Sequence, residues 1–225
     1  MKVHYWILLF IIVLAGDLVA VNFHDALFQT IFKPLIIPVI IGYFNAQVKS
    51  ISRGMSKWVL MALLFSMIGD VLLMFQEKNS IFFLLGLSAF LIAHIFYIIF
   101  YNAVWAHEKI KNNYFLVVVV LIYYGALISL LLPYLGTMKI PVLVYGFVIS
   151  WMLMMALNML FIRNKQAGQW MVTGALLFVI SDSLLAINMF YQPFISAGVL
   201  VMLTYGIAQL FIVHGAIKYL HARHK

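Results

Sequence analysis

The sequence predicts an all-α fold, a polytopic bundle of eight transmembrane helices, from three observations. The first is composition: of 225 residues, 66% are hydrophobic and only 9% are charged, whereas soluble domains carry about 25% charged residues. The second is a series of apolar runs as long as a helix needs to cross a bilayer. The third is the concentration of Lys and Arg in the short connections between these runs, as in membrane proteins.

The predicted spans follow one another too closely for a separately folded unit between them. We expect helices over residues 5–21, 27–45, 57–76, 81–102, 114–132, 140–162, 169–190 and 194–220. Turn-forming residues mark the connections, as in Pro133–Tyr134–Leu135–Gly136. The chain, residues 1–225, is therefore expected to form a single transmembrane domain. Since it has no cysteine, disulfides and thiolate metal sites are excluded.

The basic residues predict the orientation of the bundle. Eleven fall on one side, namely Lys2, Lys49, Arg53, Lys57, Lys109, Lys111, Arg163, Lys165, Lys218, Arg223 and Lys225. Only Lys78 and Lys139 fall on the other side. Because Lys and Arg concentrate in cytoplasmic loops, both termini are expected in the cytoplasm. The same distribution argues against a nucleic-acid partner, although the formal charge is +8.

The first apolar run has a second interpretation, as a cleavable signal peptide, because it follows Lys2 and ends near Leu18–Val19–Ala20. Cleavage would leave seven helices with unchanged orientation, so the charges do not separate the two interpretations. We expect a retained helix, since Asp17 is unusual in a cleavable apolar region.

A shared motif indicates an internal repeat. Ile68–Gly69–Asp70–Val71–Leu72–Leu73 and Ile180–Ser181–Asp182–Ser183–Leu184–Leu185 both read Ile-small-Asp-x-Leu-Leu at an offset of 112 residues. This predicts a 4+4 parallel arrangement, with halves 1–112 and 113–225 related by an axis along the membrane normal. Chance similarity between Leu-rich helices is the alternative.

Six ionisable side chains fall within or close to the predicted spans: Asp17, Lys33, Asp70, His94, Asp182 and His214. Such groups are costly in a membrane, usually face the bundle interior and mark functional sites. Asp70 and Asp182 lie at similar depths. Two close carboxylates in a low dielectric tend to share a proton, which supplies one acid and one base. Alternatively, each caps a broken helix or bonds a neighbouring Ser or Tyr.

The other polar residues have open roles at this point. His94 shares a helix face with Tyr97 and Tyr101; it is a proton donor, a metal ligand, an orienter of substrate, or simply bonded within its helix. Asp17 and Lys33 lie at similar depth and form either a structural ion pair or part of a site.

Further expectations concern two other helices. Lys33 precedes Pro34, and a kink there would let it meet an anionic group such as a lipid phosphate. Tyr205 and Gln209 share a face of the last helix and are expected to add hydrogen bonds inside the bundle. His214 is expected to reach towards the membrane interface.

An ordered set of short motifs runs from the second predicted helix to the eighth. The motifs are Lys33–Pro34–Leu35, Ser66–Met67–Ile68–Gly69–Asp70, Ala93–His94–Ile95–Phe96–Tyr97, Gly174–Ala175–Leu176–Leu177–Phe178, Ser181–Asp182–Ser183–Leu184–Leu185–Ala186 and Thr204–Tyr205 with Ala208–Gln209. Taken together, this set resembles the YhhN family of lysoplasmalogenase-like membrane proteins.

The resemblance implies a membrane hydrolase that cleaves the vinyl ether bond of lysoplasmalogens to a fatty aldehyde and glycerophosphocholine or glycerophosphoethanolamine. Asp70 and Asp182 are the expected acid–base pair, and His94 would relay a proton or hold water. The expected substrate contacts are Lys33, Asp17, Ser66, Tyr97, Tyr205 and Gln209. No cofactor or metal is expected. The partners would be a lysophospholipid and membrane lipid, in a bacterial inner membrane.

Two other functions stay open at the level of sequence. Buried acids and a repeat also suit a proton-coupled transporter or lipid flippase. A metal-dependent membrane lipid hydrolase would use Asp70, His94, Asp182 and His214, although no two His share one helical face at ligand spacing.

The orientation is testable with reporters fused along the chain. Fusions after Lys57, Lys111 and Lys165 should be cytoplasmic, and fusions after Lys78 and Lys139 should lie on the opposite side, because of the bias in basic residues. Paired phosphatase and fluorescent-protein fusions would measure this. A non-cytoplasmic signal after Lys111 would contradict the eight-span topology.

Overall fold

The computed structural model describes residues 3–49, 53–111 and 113–224. The helices in these ranges are α1 (Val3–Asn22), α2 (Ala26–Val48), α3 (Arg53–Leu73), α4 (Ser80–Glu108), α5 (Tyr114–Leu131), α6 (Lys139–Leu157), α7 (Lys165–Ala186) and α8 (Ala197–His224). All eight are long and apolar enough to cross a membrane, and the described ranges contain no strand. The predicted all-α bundle of eight spans is confirmed.

Side-chain caps fix where several helices begin. Asp25 Oδ1 accepts hydrogen bonds from the backbone N–H groups of Leu27 and Phe28, both at 3.1 Å, and so starts α2. Asn79 and Asn113 cap α4 and α5 in the same way. These caps satisfy donors that have no partner within the helix, which matters most where water is scarce.

Several predicted boundaries differ from the structure by three or more residues, and local contacts accompany two of these differences. α4 runs to Glu108 rather than to residue 102, because its last turn makes polar contacts: the Arg163 backbone N–H donates to Glu108 Oε2 at 3.1 Å. α3 ends at Leu73 rather than at residue 76, and the following residues form a hydrogen-bonded turn in which the Lys78 N–H reaches the Phe75 carbonyl at 3.0 Å.

Connections 23–25, 74–79, 132–138 and 192–196 gather at one end of the bundle, called here the distal end. Residues from the first, second and fourth line one surface pocket, and the rings of Tyr134 and Tyr191 pack 5.2 Å apart between the third and the fourth. The opposite end is called proximal. There the Lys218 ammonium donates to Gln166 at 2.9 Å.

α8 is the central helix of the bundle, in contact with α1, α2, α3 and α7. Its closest approach to α7 requires small residues. A side chain at Gly174 would place its Cβ 2.6 Å from the Ile212 backbone nitrogen, and one at Gly215 would lie 2.8 Å from the Ala167 carbonyl oxygen. Small residues at helix contacts are typical of membrane bundles, where packing replaces the hydrophobic effect.

α5 lies at the periphery, since Val120 and Leu131 are its only buried residues in the described chain. α2 is assigned as helix through both Pro34 and Pro38, although each proline removes one backbone donor. The helix therefore continues past Lys33 towards the proximal end.

Candidate active site

A narrow cavity of about 120 Å³ lies in the distal half of the bundle between α2, α3, α4, α6, α7 and α8. Most of its wall is apolar, with Leu73, Phe83, Phe90 and Val142 among the lining residues. The polar side chains in the wall are Lys33, Asp70, Gln76, Tyr145, Ser181, Asp182 and Tyr205. Mostly apolar walls with a few convergent polar groups are typical of small-molecule sites.

Asp70 is 3% exposed and is held by a phenol from α8. The Tyr205 hydroxyl donates to Asp70 Oδ2 at 2.7 Å. The Tyr205 ring is fixed by edge-on contacts with Phe90 and Phe178, with centroids 5.7 and 5.5 Å away. Gly69 makes room for this packing, because a Cβ there would lie 2.6 Å from the Phe90 ring.

Asp182 is held by a second phenol, this time from α6. The Tyr145 hydroxyl donates to Asp182 Oδ2. His94 Nε2 lies 4.0 Å from the same oxygen, and its wholly buried ring packs edge-on against Tyr145 and Phe178, at 5.4 and 4.8 Å. Neither ring nitrogen of His94 has a hydrogen-bond partner in the described chain.

The two carboxylates therefore share a common arrangement. In each, Oδ2 accepts from a tyrosine, and within residues 3–49, 53–111 and 113–224 no side chain or backbone group bonds Oδ1. No hydrogen bond joins Asp70 directly to Asp182 over the same ranges. Each carboxylate thus keeps one oxygen for a bound molecule while the other is fixed in orientation. The sequence analysis considered as an alternative that each Asp bonds a neighbouring Ser or Tyr, and both carboxylates do bond a Tyr. Both carboxylates also line the same cavity.

Three residues that were predicted to contact substrate are hydrogen-bonded to one another. The Tyr97 hydroxyl donates to Gln209 Oε1 at 2.6 Å, and Gln209 Nε2 donates to Ser66 Oγ at 2.9 Å. None of the three lines the cavity. Gln209 lies one turn of α8 from Tyr205, so this network braces the helix that carries the phenol on Asp70.

Lys33 lines the cavity wall, as a substrate contact should, and no described residue pairs with its ammonium group. Asp17 is wholly buried, and neither of its carboxylate oxygens has a hydrogen-bond partner among the described residues. The ion pair considered between them is therefore not formed. The two residues lie at similar depth, but Lys33 lines the cavity and Asp17 does not.

His214 is not part of the site. Its Nδ1 is 2.7 Å from the Tyr43 hydroxyl, and it does not line the cavity. The described residues contain no group of three or more His, Cys, Asp or Glu placed to hold a metal. The ligand set considered from the sequence is therefore not brought together.

Tyr145 and Gln76 line the cavity and were not identified from the sequence. The one signal for Tyr145 was its position within a predicted span, where a phenol needs a hydrogen-bond partner. For Gln76 the sequence carried no signal beyond its place at the end of the predicted third helix. The signal for Tyr145 did not identify its partner on another helix.

Comparisons with known proteins place the chain among related membrane proteins. The profile of the YhhN family matches residues 28–216. Lysoplasmalogenase TMEM86B of Homo sapiens is 34% identical over 172 residues, covering 76% of this chain and 68% of that protein. Lysoplasmalogenase TMEM86B of Sus scrofa is 36% identical over 155 residues, covering 67% and 59%.

Lysoplasmalogenase TMEM86A of Homo sapiens is 30% identical over 165 residues, covering 71% of this chain and 65% of that protein. The matched part of the chain thus spans from 59% to 68% of the length of these three relatives. No solved structure matches the chain significantly.

The network beneath the cavity makes a prediction about stability. Gln209→Leu removes the partners of the Tyr97 and Ser66 hydroxyls and should lower the free energy of unfolding by about 1–3 kcal/mol. Thermal unfolding of the purified protein in detergent would measure this. Gln166→Leu is the matched control, because Gln166 is exposed at the proximal end. An undiminished unfolding temperature with lost ligand binding would mean that Gln209 contacts the ligand directly.

Proposed function

Since the chain belongs to the YhhN family, we propose that it is a membrane-embedded hydrolase of the vinyl ether bond of lysoplasmalogens. The products are a fatty aldehyde and glycerophosphocholine or glycerophosphoethanolamine. The names of the curated relatives support this activity. The observation that carries the proposal is the pair of carboxylates, Asp70 and Asp182, in the wall of one largely apolar cavity.

The first step of the proposed reaction is a proton transfer to carbon. One carboxylic acid donates its proton to the alkene carbon β to the ether oxygen, and the π electrons form the new C–H bond. The cation left behind is an oxocarbenium ion, which the other, ionised carboxylate stabilises. Glycosidases meet a related cation with two carboxylates. Asp70 and Asp182 supply both groups, each through the oxygen that its tyrosine leaves free.

The second stage adds water and breaks the C–O bond. Water attacks the cationic carbon and gives one proton to the ionised carboxylate, which forms a hemiacetal. This newly protonated carboxyl group then protonates the glycerol oxygen as the C–O bond breaks, while the first carboxylate accepts the hemiacetal hydroxyl proton. Both carboxyl groups return to their starting states, and one water is consumed. His94, 4.0 Å from Asp182, positions the water or relays its proton.

The remaining lining fits the rest of the substrate. The apolar wall accommodates the alkenyl chain, and the Lys33 ammonium binds the phosphate. The enzyme is a multi-pass membrane protein, which we assign to a bacterial inner membrane with the cavity in the half away from the cytoplasm.

The direct test is release of aldehyde by the purified protein in detergent, with lysoplasmalogen compared with an acyl lysophospholipid of equal chain length. Aldehyde should form from the vinyl ether, without any ion gradient and in the presence of a chelator. Gradient-dependent movement of lipid with no aldehyde would favour a transporter, and loss of turnover with the chelator would favour a metal-dependent hydrolase.

Asp70→Asn and Asp182→Asn should fold and each lose about 10²–10⁴-fold in kcat, because an amide neither donates a carboxylic proton nor carries negative charge. The double variant should be little worse than either single variant, since the two groups act as a unit. Aldehyde release and size-exclusion profiles would measure rate and folding. Folded single variants with near-normal rates would contradict this assignment.

Tyr145→Phe tests the phenol contact with a matched control. It should lower kcat by roughly tenfold, since one charge-assisted hydrogen bond is worth about 1.5–3 kcal/mol, and should shift the pH profile of kcat. Tyr123→Phe is the control, because that hydroxyl lies 2.7 Å from Ser183 Oγ rather than on a carboxylate. Equal effects of the two substitutions would show that loss of a buried hydroxyl, not the contact with Asp182, matters.

A further inference from the structure

A second pocket, of about 840 Å³, lies at the distal end of the bundle. Its wall combines the end of α1 and the starts of α2 and α8 with connections 23–25, 74–79 and 192–196. The π-helical segment Ile187–Tyr191, which follows α7, adds Asn188. The polar lining residues are Asn22, His24, Gln29, Glu77, Asn188 and Ser196. This composition contrasts with the apolar wall of the active-site cavity and suits a hydrated, polar ligand.

The distal pocket and the active-site cavity are lined by neighbouring residues. On α2, Gln29 lines the pocket and Lys33, one turn deeper, lines the cavity. On α8, Ala197 and Val201 are related in the same way. One helical turn rises about 5.4 Å. On both helices, therefore, a residue that lines the pocket lies only one turn from a residue that lines the cavity.

Two further elements repeat this relation between adjacent residues. Glu77 lines the pocket and Gln76 lines the cavity, and Asn188 lines the pocket and Met189 lines the cavity. The Asn188 side chain is also fixed, because its Oδ1 accepts from the Phe194 N–H at 3.2 Å. Four elements thus contribute residues to both spaces, so the polar distal pocket lies beside the cavity that holds the carboxylates.

Charged groups line both spaces. The carboxylates of Asp70 and Asp182 and the ammonium of Lys33 line the active-site cavity. Glu77 is the only Lys, Arg, Asp or Glu among the residues that line the distal pocket, and it makes no hydrogen bond or ion pair with the described part of the chain. The first turn of α8 also lines the pocket, and its free N–H groups favour an anion.

We propose that the distal pocket binds the zwitterionic headgroup of the lysolipid, with its phosphate between Lys33 and the first turn of α8 and its ammonium at Glu77. This inference rests on the proposed function. From the reacting bond outward, the substrate presents a vinyl ether, a phosphate and an ammonium group. The active-site cavity offers the two carboxylates and a cation, and the neighbouring distal pocket offers an anion.

Two residues of the distal pocket have an unusual backbone conformation. His24 has a φ of 54° and Ser196 a φ of 63°, in the left-handed region that side chains other than glycine rarely adopt. Both residues line the distal pocket. The connections that carry them hold the ends of α1 and α2, and of α7 and α8, around the space that receives the headgroup.

The test compares four alkenyl lysolipids with one chain and different headgroups: ethanolamine, choline, glycerol and bare phosphate. Wild-type protein should prefer the two ammonium headgroups. Glu77→Gln should raise KM for those two roughly 3- to 10-fold with kcat unchanged, as expected for a partly exposed charge pair that contributes uniform binding. It should leave the glycerol and phosphate substrates unaffected. Lys78→Gln is the control, since Lys78 does not line the pocket.

The outcomes separate this inference from the proposed function. Equal changes for all four substrates in Glu77→Gln, or no change for any, would overturn the headgroup site while leaving the hydrolase intact. No aldehyde from any headgroup in wild-type protein would contradict the hydrolase itself. Calorimetry then still tests the pocket: glycerophosphoethanolamine should bind wild-type protein more tightly than glycerol phosphate, and Glu77→Gln should abolish that difference. Equal binding of the two would overturn the site.

Discussion

The hydrogen bonds from Tyr205 to Asp70 and from Tyr145 to Asp182 are the contacts on which the site depends. A carboxylate inside a bilayer has little water to solvate it, and a buried polar group without a partner is costly. Each phenol meets this need for one oxygen and leaves the other free for a ligand. The two hydrogen bonds join α8 to α3 and α6 to α7.

The need to bring each tyrosine close to its carboxylate also explains the small residues near the site. Gly69 lets Phe90 pack beside Tyr205, and Gly174 lets α7 approach α8 closely. Two contacts cross between the predicted halves of the chain: Tyr205 on α8 meets Asp70 on α3, and His94 on α4 lies near Asp182 on α7. The contact of Tyr145 with Asp182 lies within the second half. A twofold relation between two four-helix halves would produce this exchange, and the internal repeat stays a prediction.

The sequence identified the ionisable side chains of the site, because such groups are costly in a membrane. It did not identify their hydrogen-bond partners. The spans and the family were predicted, and Asp70, Asp182 and Lys33 line one cavity as the cost of buried charge suggested. Tyr145 was missed because tyrosine is common in membrane helices and its partner lies 37 positions away on another helix. Asp17 and Lys33 were considered as a pair from depth alone, which does not fix the face of a helix.

The central claim is that a carboxylic acid protonates carbon, and hydrolysis in D₂O tests it most directly. If the vinyl ether is protonated at the carbon β to oxygen, mass spectrometry of the aldehyde should find one deuterium on the carbon next to the carbonyl. A solvent isotope effect above one should accompany it, and authentic aldehyde incubated with Asp70→Asn protein corrects for exchange. Aldehyde formed at the normal rate without deuterium at that carbon would contradict acid–base cleavage by Asp70 and Asp182.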